Sequence, residues 1–395
     1  MINTGEIMKK VYTLIFVMGF ILAINFLISC KSSPKVYASE IEFQSKSNVL
    51  IEAYSGEVIL SNNEKEHLPI ASICKVMTLL LAFESIDKGE IKLDQNVIVS
   101  ENASNMGGSQ VFLEANGIYK VNELLKSITV ASANDASVAI AELICGNEDD
   151  FVEKMKEKAS QLGMLDTRFV NCTGLPCAGQ YSCALDVAKM FSKLIKHKEY
   201  FNYSKIWMDE IKHPKDRITQ ISNTNKLIKF YNGCDSGKTG YTSEAGHCLV
   251  ASAIRNNLRL ICVTLSAKDS KSRFAETSNA FNYGFNNFEN RTVLSSQQSL
   301  DIPVNVEKGK KASLEIYPEE NVYILSKKNQ KRGFDISFTP NNKIVAPIQK
   351  GETVGIIDIF ENNIKIKSIN AIAGENIDRK TYFDNIVDIA QNWNI

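Results

Sequence analysis

The stretch from His67 to Gly89 reads HLPIASICKVMTLLLAFESIDKG. From Ala71 onward its apolar residues recur at helical spacing until Gly89, which predicts a helix over this range. Ser72 and Lys75 stand three positions apart at the start of that helix, so their side chains lie on one face. A serine hydroxyl becomes a good nucleophile when a base takes its proton. The segment therefore predicts a nucleophile and its base one helical turn apart.

Two more short motifs follow along the chain. Ser132-Ala133-Asn134 is predicted to lie in a loop, and Lys238-Thr239-Gly240 is predicted to lie on a strand. Each motif alone occurs often by chance. Together, in this order and on a helix, a loop and a strand, they are typical of penicillin-binding proteins and class A β-lactamases. We therefore expect one pocket in which the three motifs meet.

The first two motifs supply the predicted proton carriers. Lys75 is expected to act as the base for Ser72, which requires a lowered pKa. Partial burial lowers the pKa of an amine, and so does the nearby positive charge of Lys238. The N-terminus of the helix also favours the negative charge that develops at Ser72. Ser132 is expected to pass a proton between Lys75 and the leaving nitrogen of a substrate.

The remaining motif residues are predicted to bind the substrate. The side-chain amide of Asn134 holds the substrate backbone, and Lys238 and Thr239 bind a free carboxylate. Gly240 has no side chain, so the substrate can lie flat along the edge of the strand. Stabilisation of the oxyanion is typically the largest catalytic effect in acyl transfer. The predicted oxyanion donors are the backbone amides of Ser72 and Tyr241.

The chain around these motifs combines strands and helices. One hairpin is predicted from Asn48–Ala53 and Glu57–Ser61, and another from Cys248–Ile254 and Leu258–Ser266. The pattern indicates a mixed α/β domain, in which an antiparallel sheet is covered by helices. The other predicted helices are Val121–Cys145, Asp149–Leu162, Ala184–Lys196 and Arg273–Phe288.

After about residue 290 the pattern changes to short strand-like runs separated by Pro, Gly and Asn. This pattern predicts a small all-β domain over residues 290–375. Within the last segment, 376–395, residues 378–395 favour an amphipathic helix. Two interpretations of that helix stay open: it docks on the β domain, or it lies at a membrane interface. Its apolar side holds Phe383, Ile386, Val387, Ala390 and Trp393.

The N-terminus is typical of an exported protein. Lys9 and Lys10 precede an uncharged apolar run that ends at Ser29. Three interpretations of residues 1–38 stay open: a signal peptide cleaved after Ala38, a lipoprotein signal with lipidation at Cys30, and an uncleaved membrane anchor. All three place the rest of the chain outside the cytoplasmic membrane.

On these motifs the chain resembles the D-alanyl-D-alanine carboxypeptidases, which are the low-molecular-mass penicillin-binding proteins. The resemblance runs from Asn48 to Phe288 and continues into the β domain, where Ala346-Pro347 matches the family. It implies a serine β-lactamase/transpeptidase-like domain over residues 40–289. It also implies that Arg273 helps to bind the substrate carboxylate.

The resemblance further implies a reaction and its partners. The substrate is a peptidoglycan stem pentapeptide that ends in D-Ala-D-Ala. Ser72 attacks the penultimate carbonyl, free D-alanine leaves, and water hydrolyses the acyl-enzyme. β-Lactams acylate the same serine, and no metal or other cofactor takes part. Such an enzyme remodels the cell wall, secreted or attached to the outer face of the cytoplasmic membrane.

The sequence departs from the family pattern at two positions. Cys74 stands where threonine is common, but it points away from the face that Ser72 and Lys75 share, so catalysis should survive. Thr224 stands in a loop where some members carry a second carboxylate-binding arginine. That change concerns the affinity for substrate and not the type of reaction.

Other classes of function fit less well. A class A β-lactamase needs a glutamate between the second and third motifs, and residues 169–176 contain no carboxylate. A non-enzymatic sensor or scaffold usually lacks the nucleophile or the lysine, and both are present here. Cys172, Cys177 and Cys183 match no zinc pattern with paired C-x₂-C units. Basic and acidic residues balance at 45 each, which argues against nucleic-acid binding.

Overall fold

The computed structural model describes residues 43–392, and side chains within the last helix up to residue 387. Cys30, Ala38 and Trp393 therefore lie outside the described residues, as does the side chain of Ala390. In the first domain the strands are β1 (Ser47–Glu52), β2 (Val58–Asn62), β3 (Asn96–Ile98), β4 (Ile118–Lys120), β5 (Met208–Lys212), β6 (Ile218–Ser222), β7 (Cys234–Thr242), β8 (Gly246–Arg255) and β9 (Leu258–Ala267). Five of them form an antiparallel sheet in the order β2-β1-β9-β8-β7.

Helices cover both faces of this sheet. The alternation of side chains along β9 shows why: Ile261 and Val263 belong to one buried cluster, while Leu260 and Cys262 belong to the cluster on the other face. The two predicted hairpins and the predicted helix that begins near Ala71 are confirmed. The helices are α1 (Lys75–Asp87), α2 (Glu101–Ser104), α3 (Val121–Lys126), α4 (Asn134–Cys145), α5 (Glu148–Gln161), α6 (Ala184–Leu194), α7 (Tyr200–Ser204), α8 (Leu227–Phe230) and α9 (Ser270–Asn287).

The prediction of a single helix over Val121–Cys145 is wrong. Helix α3 passes into a π-helical turn at Ser127–Ala131, and Ser132 then adopts a left-handed conformation with φ of 63°. The amide of Asn134 donates to the carbonyl of Ser109 in a neighbouring loop at 2.7 Å, so it takes no part in the helical ladder. The break separates α3 from α4 and leaves the second motif in a turn.

The second domain consists of strands, as the sequence predicts. The strands are β10 (Phe288–Leu294), β11 (Val304–Asn305), β12 (Ser313–Leu314), β13 (Ile316–Pro318), β14 (Val322–Lys327), β15 (Asp335–Pro340), β16 (Thr353–Glu361) and β17 (Ile364–Ala373). A four-stranded sheet has the order β13-β17-β16-β15, and two-stranded sheets pair β10 with β14 and β11 with β12. Strand β10 begins directly after α9, without a linker.

The last helix, α10 (Tyr382–Asn392), agrees with the predicted amphipathic segment. On the described part of its apolar side, Phe383, Ile386 and Val387 are 77%, 45% and 51% exposed. This exposure does not match the interpretation in which the β domain covers that side. Within residues 43–392, no helix combines the length and the apolar composition that crossing a bilayer requires.

Candidate active site

The nucleophile segment is held closely by two glycines. Ser72 lies in a 3₁₀ turn, Ala71–Cys74, that leads into α1. A Cβ atom built on Gly174 would lie 2.0 Å from the carbonyl oxygen of Ala71, and one on Gly240 would lie 2.7 Å from the carbonyl oxygen of Ile70. Only residues without side chains allow such an approach. Gly240 is therefore needed where β7 packs against the nucleophile segment, which is a different reason from the predicted one.

Lys75 is buried and contacts the serine hydroxyl. Its Nζ donates to Ser72 Oγ at 3.0 Å and to the carbonyl oxygen of Thr173 at 2.5 Å. Burial lowers the pKa of Lys75 to about 8, against smaller opposing effects from Cys74, Cys172 and Asp135. An amine with this pKa is available as a base near neutral pH.

A second amine–hydroxyl pair lies on the strand side of the site. Lys238 Nζ donates to Ser132 Oγ at 2.6 Å and to the carbonyl oxygen of Thr239 at 3.0 Å. Burial, followed by the positive charges of Lys75 and Arg273, holds the pKa of Lys238 well below its ordinary value. The left-handed conformation of Ser132 turns its hydroxyl toward this lysine. The structure thus brings Ser132 to Lys238, whereas the sequence predicts a proton path from Ser132 to Lys75.

Asn134 has an unfilled acceptor inside the site. Its Nδ2 donates to the carbonyl oxygen of Gly107 at 2.6 Å, and the residue is almost fully buried. Its Oδ1 has no hydrogen-bond partner in the protein. A buried polar atom without a partner is costly unless a ligand or water satisfies it. An amide N–H of a bound peptide backbone would satisfy this oxygen.

The predicted carboxylate-binding residues differ in the groups that they contact. Thr239 Oγ1 donates to Thr224 Oγ1 at 2.7 Å, so two hydroxyls lie side by side on the strand edge. Arg273, by contrast, donates from Nη1 to the carbonyl oxygens of Gly240 at 3.1 Å and Cys248 at 3.2 Å. Burial lowers the pKa of Arg273 to about 10. Arg273 thus links β7 to β8 through one backbone carbonyl of each strand.

The oxyanion donors are predicted at the contact between β7 and the nucleophile turn. A Cβ atom on Gly240 would lie 3.1 Å from the backbone nitrogen of Ser72. The next amide along the strand is that of Tyr241, whose ring is exposed and stacks on His247 with centroids 4.4 Å apart. The structure thus brings the third-motif strand next to the amide of Ser72, and the assignment of the Ser72 and Tyr241 amides as oxyanion donors stays a prediction.

Three further residues shape the site: Thr173 and Asp135, for which the sequence predicts no role, and Thr224, which it marks only as a departure from the family pattern. The carbonyl of Thr173 accepts from Lys75, the hydroxyl of Thr224 accepts from Thr239, and the buried carboxylate of Asp135 holds the loop beside Asn134. For Asp135 a signal was available, because an acidic residue follows the second motif inside an apolar helix. A backbone carbonyl such as that of Thr173 leaves no signal in a sequence.

The described cysteines are free thiols, and one of them lies in a cluster with two carboxylates. Cys74, Cys145, Cys172, Cys177, Cys183, Cys234, Cys248 and Cys262 are unpaired thiols in the described part of the chain. Of these, Cys183 approaches Asp166 and Asp186. Asp186 already accepts hydrogen bonds from the amide of Asp166, from Thr167 and from Lys189, so this group is explained as an internal polar network.

Comparison with known proteins follows the same division of the chain. Residues 34–269 match a family model described as D-alanyl-D-alanine carboxypeptidase, and residues 288–379 match one described as penicillin-binding protein 5, C-terminal domain. D-alanyl-D-alanine carboxypeptidase DacF of Bacillus subtilis is 42% identical over 321 residues, which cover 81% of this chain and 82% of that protein.

Two crystal structures extend the comparison. Penicillin-binding protein 5 of Haemophilus influenzae superposes with a TM-score of 0.68 at 28% identity, over 87% of this chain and all of that one. Penicillin-binding protein D2 of Listeria monocytogenes in its ampicillin-bound form gives a TM-score of 0.53 at 28% identity, over 62% of this chain and 99% of that one. The likeness thus covers both the catalytic and the all-β part of the fold.

Proposed function

The chain belongs to the D-alanyl-D-alanine carboxypeptidase family, and from that premise we propose that Ser72 forms an acyl-enzyme with peptidoglycan stem pentapeptides and releases their terminal D-alanine. It is a serine hydrolase of that type. The main support for the acyl-enzyme step is the Ser72–Lys75 hydrogen bond of 3.0 Å in a buried setting.

In the proposed acylation, Ser72 Oγ bonds to the penultimate carbonyl carbon while Lys75 Nζ takes its proton. With a pKa of about 8, roughly one amine in ten is neutral at pH 7. The amides of Ser72 and Tyr241 bind the oxyanion. The C–N bond then breaks, and the leaving D-alanine nitrogen receives the proton from Lys75 through the hydroxyl of Ser132, which gives up its hydrogen bond from Lys238 for this step.

Binding is proposed to use both walls of the site. Asn134 Oδ1, which lacks a partner in the protein, accepts from a substrate backbone amide. Lys238 and Thr239 bind the terminal carboxylate, with Thr224 beside them. Gly240 keeps β7 against Ser72, and Arg273 contributes by holding that strand and by its positive charge. Water then attacks the ester with Lys75 as its base, and Lys75 returns the proton to Ser72 Oγ as the acid product leaves.

β-Lactams are proposed to acylate Ser72 in the same way. The Listeria protein has been crystallised in an ampicillin-bound form, and it shares the catalytic fold with this chain. The proposed location is outside the cytoplasmic membrane, with residues 1–38 as signal or anchor and α10 at the membrane face. We propose 40–289 as the catalytic domain and 290–375 as the β domain, and a role in cell-wall remodelling.

The test is release of D-alanine from a pentapeptide that ends in D-Ala-D-Ala. We expect release by the wild type and none by Ser72→Ala, with an unchanged melting temperature. Ser61→Ala, at an exposed serine on the strand farthest from β7, should keep full activity.

Two measurements separate the alternatives. Many turnovers of nitrocefin per molecule with no release of D-alanine would favour a β-lactamase. Absence of covalent labelling of Ser72 by fluorescent penicillin, together with absence of D-alanine release, would favour a non-enzymatic sensor or scaffold.

A further inference from the structure

Phe112 has an unusual backbone conformation for a large side chain. Its φ is 64°, in the left-handed region, and its side chain is 55% exposed. Left-handed backbone is unfavourable for residues with a Cβ atom, and bulky residues are genuine outliers there. Such a conformation persists only where the surroundings enforce it, and these positions concentrate at functional sites.

The surroundings of Phe112 enforce the conformation from three sides. The carboxylate of Asp135, which is fully buried, accepts from the amide of Val111 at 3.1 Å and from the amide of Leu113 at 3.0 Å. Arg217 donates to the carbonyl oxygen of Phe112 at 2.6 Å. The neighbouring side chains of Val111 and Leu113 are buried, so the chain is fixed and the ring of Phe112 alone is presented to solvent.

The same loop forms one wall of the active site. The carbonyl oxygens of Gly107 and Ser109 accept from Asn134 Nδ2 and from the Asn134 amide, respectively. A Cβ atom on Gly108 would lie 2.8 Å from Asn134 Nδ2 and 3.3 Å from a methyl group of Leu175. Phe112 follows Ser109 by three residues. Asp135, which accepts from the amides on either side of Phe112, is the residue next to Asn134. Phe112 thus lies on the loop that borders the site on the side of the second motif, and its backbone is fixed there.

We propose that Phe112 is a specificity-determining residue that packs on the aliphatic side chain of the residue preceding D-Ala-D-Ala in the substrate. This inference rests on the proposed function. Lys238 and Thr239 occupy the wall for the leaving D-alanine, and Asn134 occupies the wall for the acyl part. The loop of Phe112 is bonded to Asn134, so its ring faces the acyl part of the peptide. An aromatic ring gains affinity by covering methylene groups.

The experiment compares two pentapeptides that both end in D-Ala-D-Ala and differ only in the preceding residue, lysine or alanine. We expect the wild type to prefer the lysine peptide about tenfold in kcat/KM. Phe112→Gly should bring the two values within about twofold by loss of activity on the lysine peptide alone. Glycine is comfortable at this φ, so the melting temperature should not fall. Phe112→Tyr keeps the ring and should keep the preference.

The matched control is Asn116→Gly, which relieves a second left-handed residue of the same segment, with φ of 60°, and removes no ring. It should keep the preference for the lysine peptide. Equal kcat/KM of the wild type on both peptides, or a preference that survives in Phe112→Gly, overturns the role of Phe112. Absence of D-alanine release from both peptides by the wild type would instead overturn the proposed function.

Discussion

Two lysine–serine pairs face each other across the site, and they differ in their electrostatic surroundings. On the helix side Lys75 donates to Ser72 and to one backbone carbonyl; on the strand side Lys238 donates to Ser132 and to another. Both amines are buried. The pKa of Lys75 falls to about 8 chiefly by burial, with a nearby carboxylate opposing the change. For Lys238, the charges of Lys75 and Arg273 add to burial.

The comparison shows how one site can hold a base and an anion-binding group made from the same residue type. Two like charges in a buried site oppose each other, and the positive charge of Lys75 lowers the pKa of Lys238; while both amines are charged, this coupling acts in both directions. A carboxylate bound at Lys238 would stabilise the positive charge there. We therefore expect bound substrate to keep Lys238 charged and Lys75 neutral, which prepares the base for attack.

The largest effect is expected from the helix-side pair. Lys75→Met removes the base and the proton donor together, so kcat/KM for D-alanine release should fall by about 10³-fold or more. The acylation rate with penicillin, followed by intact mass, should fall in parallel. Lys365→Met, at an exposed lysine of the β domain, is the control and should show no change. A Lys75 variant within tenfold of the wild type would assign the base elsewhere.

A smaller loss, of a different kind, is expected from the strand-side pair. Lys238→Met removes a charged partner of the substrate carboxylate but leaves the Ser72–Lys75 pair intact. We expect kcat/KM to fall by about 10²-fold, mostly through KM, with slow penicillin acylation retained. Equal losses in Lys75→Met and Lys238→Met, both in kcat, would mean that the two lysines act as one unit.

The pH dependence should connect the two pairs. The pKa of Lys75 lies below its ordinary value, and the neutral amine is the base, so kcat/KM should rise with increasing pH until about 8 and then level off. In Lys238→Met the positive neighbour is gone, so the pKa of Lys75 should rise and the ascending limb should move to higher pH. If the ascending limb of Lys238→Met lay at the same pH as that of the wild type, the two amines would not interact.

The sequence predicts the helix-side pair better than the strand-side pair. Ser72 and Lys75 are neighbours on one helix, so local spacing alone brings them together. Ser132 meets Lys238 only because the chain breaks at Ser132, and the apolar periodicity of Val121–Cys145 continues through that break. At this break the Asn134 amide donates to Ser109, and a contact between distant loops leaves no periodic signal.

Arg273 is a second residue for which the sequence predicts the position but not the contacts. The family resemblance implies that Arg273 lies near the substrate carboxylate, and the structure does bring it to the third motif. The direction of its guanidinium depends on the carbonyls of Gly240 and Cys248, which become its acceptors only when β7 and β8 pair. The resemblance therefore implies that Arg273 lies at the site, but it does not predict the direction of the guanidinium.

The smallest effect is expected at Cys74, which lies between the two residues of the helix-side pair. Its thiol donates to the carbonyl oxygen of Asn171 at 3.1 Å, away from Ser72, and burial raises its pKa to about 12. Its thiolate would raise the pKa of Lys75, but at neutral pH the group is an uncharged thiol, so it should neither react nor act on Lys75 there. Cys74→Ala should leave kcat/KM within about twofold and the ascending pH limb unmoved, at a cost of about 1 kcal/mol in the free energy of unfolding.

Iodoacetamide provides the complementary measurement, because thiolate fraction and access govern its reaction. In the folded enzyme we expect it to label Cys177, which is exposed, and to spare Cys74. Activity should survive this treatment. If Cys74→Ala instead moved the pH limb downward, the thiol would be ionised beside Lys75, since loss of a negative neighbour lowers the pKa of an amine. The difference between the two lysine–serine pairs would then arise from a thiolate as well as from burial.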